Sequence, residues 1–170
     1  MNTEIVEFAD CHRDWARELL KQRWAGPKVV TRGRIHQADA LPGFVAVSEG
    51  NPVGLLTYRI ADGECEIVSL DAVVQGRGVG SLLINAVRAL AGELGCKRVW
   101  LITTNDNAAA QEFYRKRGFG IAALHRDAIA ESRELKPEIP EIGIDGVPIR
   151  DEVEMELRIS DQTEQGSVKP

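Results

Sequence analysis

Residues 64–94 read ECEIVSLDAVVQGRGVGSLLINAVRALAGEL, a pattern that leaves few folds open. The first third is strand-like, with Ile67, Val68, Leu70, Val73 and Val74 in a short apolar run. The last half is an amphipathic helix. Val79, Leu82, Leu83, Ala86, Val87, Leu90, Ala91 and Leu94 recur at helical spacing, and Gly95 ends the pattern. Between the two lies Gln75-Gly76-Arg77-Gly78-Val79-Gly80. A strand that enters a helix through glycines leaves the first helical N–H groups bare and unobstructed. Together with the positive end of the helix dipole they form a site for a phosphate.

Two familiar phosphate loops do not fit. A P-loop needs Lys and then Ser or Thr after its last glycine, whereas Gly80 is followed by Ser81-Leu82. A dinucleotide loop needs a third glycine where Ser81 stands. The pattern Q-x-x-G-x-G from Gln75 to Gly80 does fit the pyrophosphate loop of the GNAT superfamily, the Gcn5-related N-acetyltransferases, and resembles it. A second motif supports this. After a strand-like stretch at 99–103, NAAAQEFYRKRGF runs from Asn107 to Phe119. It resembles the GNAT segment in which an Asn opens a short helix that carries a Tyr and ends in Gly-Phe. The resemblance covers residues 42–126. It implies a mixed α+β fold: a twisted, mostly antiparallel sheet with helices on both faces and one parallel strand–helix–strand step.

The rest of the chain agrees with that architecture. Residues 5–8 form a first strand, and a helix follows through Trp24 until Gly26-Pro27 breaks it. Residues 29–40 are basic without a clean period. Strands at 43–48 and 53–60 flank the turn Glu49-Gly50-Asn51-Pro52, and Asp62-Gly63 turns into the central strand, giving an antiparallel meander. The helix from Val79 and the strand at 97–103 then make a right-handed parallel crossover. A strand at 119–124, a helix at 128–136 and an alternating last strand at 153–159 complete one domain over residues 1–159. Residues 160–170 are polar and aperiodic, which predicts a disordered tail.

Composition excludes several classes. With 170 residues the chain can bury a real core. Its net charge of −5 argues against a general nucleic-acid binder. No apolar run approaches membrane-spanning length, and no basic segment followed by a hydrophobic block opens the chain. The three cysteines, Cys11, Cys65 and Cys96, fit small buried residues in a reducing cytosol, so the expected location is cytoplasmic. The histidines make no metal-ligand spacing, and no metal is expected.

The resemblance implies acetyl-CoA as co-substrate. Main-chain groups of Leu70, Asp71 and Ala72 would hold the pantetheine arm. Those of Gln75, Gly76, Arg77, Gly78, Val79, Gly80 and Ser81 would hold the pyrophosphate, with Asn107 and Tyr114 completing the cofactor site. Many relatives carry Pro at the position of Ala72 and Arg at that of Gln75. Acetyl transfer to an amine needs a base for the amine, stabilisation of the oxyanion and an acid for the leaving thiolate, and positioning supplies much of the rest. Tyr114 is the acid candidate because a phenol is protonated at neutral pH; the competing reading is a core aromatic. Glu66 and Glu64 share a strand face with Val68 and Leu70 and are the base candidates. Glu66 sits deeper, where desolvation would raise its pKa. For either carboxylate, a solvated strand face is the competing reading.

The acceptor is less legible. Arg23, Lys28, Arg32, Arg34 and His36 concentrate positive charge between the first strand and the hairpin, and Gly33 between two arginines predicts a turn that presents both. Arg32, Arg34, His36 and Trp24 are the acceptor-side candidates. An arginine pair clamps carboxylate or phosphate bidentately, so the expected acceptor is a small-molecule amine with an anionic group, such as an amino acid. The competing readings are that these cations pair with the chain's own acids, for instance Asp39, or that they face solvent. A protein or peptide acceptor, a homodimer of the kind common in the family, and a non-catalytic CoA sensor also stay open.

Overall fold

The computed structural model describes residues 2–159, so the expected tail at 160–170 lies outside the described residues. In chain order the elements are β1 Thr3–Glu7, α1 Arg13–Trp24, β2 Lys28–Thr31, β3 Arg34–Gln37, β4 Gly43–Ser48, β5 Asn51–Ala61 and β6 Glu64–Ala72. Then come α2 Val79–Glu93, β7 Arg98–Thr104, α3 Ala108–Arg115, β8 Gly120–His125, α4 Ala128–Leu135 and β9 Glu152–Arg158. Seven strands form one sheet in the order β1-β4-β5-β6-β7-β9-β8, and β2 with β3 forms a separate hairpin. Only β6 and β7 run parallel among the paired strands. The meander turns are of the kind a right-twisted hairpin favours: Glu49-Gly50 and Asp62-Gly63 all adopt positive φ.

The sheet buries apolar residues on both faces. Under α2 lie Ala46, Leu56, Cys65, Ile67, Val99, Leu101 and Met155, packed against Leu83 and Val87 of the helix. On the opposite face Val45, Leu55 and Val68 meet Ala16, Leu19 and Leu20 of α1. Gly54 sets the height of α2 over the sheet, because a Cβ there would stand 2.5 Å from Val79 Cγ1.

Several sequence expectations are corrected. The strand stops at Ala72; Val73 and Val74 lie beyond it, exposed, as the chain turns away toward α2. The buried stripe of α2 is Val79, Leu83, Ile84, Val87 and Ala91, so Ile84 belongs to the core while Leu82 and Leu94 face outward. Cys65 and Cys96 are buried but Cys11 is exposed. Residues 28–37, which lack a clean period, fold as the β2–β3 hairpin around Arg32-Gly33, both at positive φ. Its outer face is solvated, so only Val29, Thr31 and His36 are buried and no apolar alternation arises.

Candidate active site

β6 and β7 pair at three positions only, Cys65↔Val99, Glu66↔Trp100 and Ile67↔Leu101. Beyond Ile67 the strands part, while β6 continues to Ala72 against β5 and β7 to Thr104 against β9. The cause is local. The β5–β6 register shifts between Thr57 and Tyr58, leaving Val68 as an extra residue in β6. Such a bulge bends its strand and sharpens the twist. It leaves the β7-facing edge of β6 without a strand partner. Val73 N–H donates to Val53 O, so strand alternation turns the main-chain groups of Leu70 and Ala72 toward that open edge. Arg23 Nη2 approaches Ala72 O at 3.5 Å.

The same bulge changes the parity of the strand. Cys65, Ile67 and Leu70 all pack on the α2 side. Glu66 and Val68 face the other way, and Asp71 joins them, meeting Trp24 of α1. The expectation that Leu70 shares a face with Glu66 is therefore corrected by one inserted residue.

At the end of the gap Gly76 and Gly78 have φ of 78° and 74°, and Gly78 caps α2. The helix's first turn bonds Leu82 N to Gly78 O at 3.1 Å, so the N–H groups of Val79, Gly80 and Ser81 have no acceptor within the helix. Gln75, Gly76, Arg77 and Gly78 are exposed, and no atom lies within 4 Å of where a Cβ at Gly76 or Gly78 would sit. These bare donors at a positive helix end could hold a pyrophosphate.

α3 braces this junction. Asn107 accepts from Ala110 N at 3.0 Å and so caps the helix. Phe113 lies against Gly80, and Arg117 covers the Phe113 ring at 3.5 Å while its Nε donates to Ser81 Oγ at 2.9 Å. A Cβ at Gly80 would stand 2.7 Å from Phe113 Cζ. Gly80→Ala should therefore lower stability by about 1–3 kcal/mol, the usual cost of overpacking, in urea unfolding followed by circular dichroism. An unchanged midpoint would mean that Phe113 moves aside freely.

Tyr114 is buried, with its ring at edge angles to Phe113 and Phe119. Its hydroxyl has no hydrogen-bond partner among the described residues. Ser48 Oγ is the one fully buried side-chain polar atom there without a partner, so the Tyr114 hydroxyl still touches solvent. Burial, reinforced by the charge of Asp71, pushes the phenol above its ordinary value and keeps it protonated.

On the opposite face Glu66 is buried beneath the β2–β3 hairpin. Thr31 Oγ1 donates to Glu66 Oε1 at 2.6 Å, and Thr31 Oγ1 also meets His36 Nε2 at 2.7 Å. With the single Thr31 proton on Glu66, His36 is the donor to Thr31, through Nε2–H. Burial first, then Arg59 and Arg34, lowers the His36 pKa to about 4, so the ring is neutral at neutral pH. Burial raises the carboxyl pKa of Glu66 against the opposing pull of Thr31 and those arginines. Glu64 sits apart, paired at 3.2 Å with Arg98, which Glu154 and Glu156 also hold. The two strand carboxylates keep the shared face that their alternation predicts, but they meet different partners.

The acceptor-side candidates do not assemble as a clamp. Arg32 gives its main-chain N–H to Glu152 at 3.2 Å and its side chain to the same oxygen at 3.4 Å. Arg34 is exposed, His36 is buried, and Trp24 Nε1 donates to Asp71 Oδ2 at 2.8 Å. Asp39 pairs with Arg17 rather than with the hairpin arginines. Sequence reasoning missed three polar groups here. Glu152, fully buried, also accepts from Ser132 Oγ at 2.9 Å. The Lys136 ammonium, buried, caps the carbonyls of Trp24 and Lys28. Thr31 bonds Glu66. Only the Glu152 position carried a signal, as an acid beginning an alternating strand.

A split parallel pair, a glycine-led helix start and a buried phenol on the helix that braces it are the arrangement expected of a CoA-dependent acyltransferase. The chain matches the profile of the Acetyltransferase (GNAT) family over residues 5–119. YdhI, an uncharacterized protein of Bacillus subtilis (strain 168), is 42% identical over 150 residues, 88% of this chain and 94% of its own. The aminoglycoside N(6')-acetyltransferase type 1 of Salmonella typhimurium is 28% identical over 131 residues, 68% of this chain and 90% of its own. A GNAT family acetyltransferase from Elizabethkingia anophelis, solved with acetyl-CoA bound, shares the fold at a TM-score of 0.66 with 18% identity, over 93% of this chain and 99% of that one. The chain belongs to the GNAT family and is an acetyl-CoA-dependent acetyltransferase.

Proposed function

We propose that the protein transfers the acetyl group of acetyl-CoA directly to the primary amine of a small molecule, with both substrates bound together. The open edge of β6, with the unpartnered Tyr114 hydroxyl near enough to feel the charge of Asp71 on that edge segment, carries this reading. The pantetheine amides pair with Leu70 and Ala72, and the pyrophosphate rests on the N–H groups of the 75–81 loop. The acetyl end then lies in the gap between β6 and β7, beside the phenol. Tyr114 gives its proton to the departing sulfur. An acyl-enzyme route finds no support in the buried thiols. Burial holds the Cys65 pKa at about 12 and raises that of Cys96, so both stay protonated. Incubating the protein with acetyl-CoA and a panel of amines, including amino acids, polyamines and aminoglycosides, tests the reading. CoA release dependent on a primary amine is expected. Activity confined to thiols or alcohols would overturn it.

Glu66 accepts the proton that the amine sheds, relayed through water. Its raised pKa places the acidic limb of the pH–rate profile above the ordinary carboxylate range, and the rate falls as pH drops through that value. Glu66→Gln should lower the neutral-pH rate and flatten this limb. The linkage for stability has the opposite sign. The contribution of Glu66 is full below its unfolded pKa and is lost as pH rises through the folded one, so Glu66→Gln also removes that decline. An unaltered acidic limb in Glu66→Gln would assign the base elsewhere.

A further inference from the structure

We propose that Asp71 is the acceptor's docking point: its carboxylate receives the ammonium form of the amine at the mouth of the β6–β7 gap. This inference rests on the acetyltransfer reading above. Asp71 lies on the segment of β6 that no longer pairs with β7, between the two residues whose main chain faces the open edge. Its side chain projects to the face away from α2, toward α1. The cofactor loop belongs to the α2 side, so an acceptor meeting the acetyl end approaches from the Asp71 side.

The carboxylate is half-buried, and its one hydrogen bond is from a neutral donor, Trp24 Nε1 on Oδ2. Oδ1 has no hydrogen-bond partner, and Asp71 has no ion pair among the described residues. The charged or titratable neighbours are Arg23 from α1 and Tyr114 from α3. Arg23 is exposed and turned toward Ala72 O. A desolvated carboxylate is ordinarily paired, and here the chain supplies no cation at bonding distance. An alkylammonium has the charge and the three donors that the free oxygen lacks. The indole of Trp24 fixes the carboxylate from one side and leaves the other open. The contact also selects among acceptors, because it favours a cationic amine over an amide or alcohol, which can donate to the carboxylate but brings no charge to it.

Asp71→Asn tests this while keeping an oxygen for Trp24 Nε1 and the main chain for the cofactor. With the best primary amine from the panel, acceptor KM should rise by about 10- to 100-fold at neutral pH, the loss expected for a hydrogen-bonded charge. kcat and acetyl-CoA Kd should stay within a few fold. The KM gap between parent and variant should close as pH rises through the pKa of the amine, because the acceptor then sheds the charge that Asp71 reads. Asp71→Glu should recover part of the loss. An unchanged KM, or a rise equal at every pH, overturns the dock while leaving acetyl transfer intact. If the parent acetylates no amine, the function fails separately, and NMR titration with 1,4-diaminobutane still decides the dock. Weaker binding to Asp71→Asn supports it, and equal binding overturns it.

Discussion

Acetyl-CoA should bind Gly78→Asp protein about 100-fold or more weakly than the parent, a loss set by like charges brought into direct contact over the same N–H donors. Gly78 caps α2 at a φ of 74°, where an Asp is tolerated better than most side chains. No atom lies within 4 Å of its Cβ position, so the substitution meets open space in the free protein. The new carboxylate would stand over the bare N–H groups of Val79, Gly80 and Ser81. It would satisfy those donors itself and repel a pyrophosphate. Calorimetric titration of the folded variant reads the effect. Parent-like affinity would place the pyrophosphate elsewhere.

Tyr114→Phe should slow turnover by about 10²–10⁴-fold, the usual contribution of a positioned acid. The ring packs between Phe113 and Phe119, and Phe keeps that packing. The hydroxyl makes no hydrogen bond among the described residues, so its removal breaks no internal contact. Stability and acetyl-CoA Kd should therefore stay close to those of the parent while kcat collapses. A Tyr114→Phe enzyme that turns over at the parent rate on its acceptor would reduce Tyr114 to a packing residue.

The elements proposed to hold the cofactor were more legible in the sequence than those proposed to meet the acceptor. The glycine loop, the α2 start and the Asn107–Phe119 motif are local patterns, each written within a dozen or so residues. The run β4-β5-β6-β7 followed from short turns and one crossover. The bulge at Val68 was invisible because an extra strand residue has no chemical signature in so apolar a run. That single residue decides that Asp71, not Leu70, accompanies Glu66. The pairs Thr31–Glu66 and Arg32–Glu152 join residues 35 and 120 positions apart, a distance that periodicity cannot see. Arg32 looked free to join a clamp because its partner, Glu152, comes from the last strand.

The open edge of β6 has a consequence for how such proteins diverge. Main-chain groups of Leu70 and Ala72 and the amides at the start of α2 remain in place whatever side chains surround them, provided the bend and the glycines persist. The opposite face is built from side chains: Asp71, Trp24, Glu66, Thr31 and the hairpin. With the substrates placed as proposed, mutation on that face rewrites which acceptor is taken without disturbing the groups that hold the donor, so a new substrate is within a few substitutions of an old one.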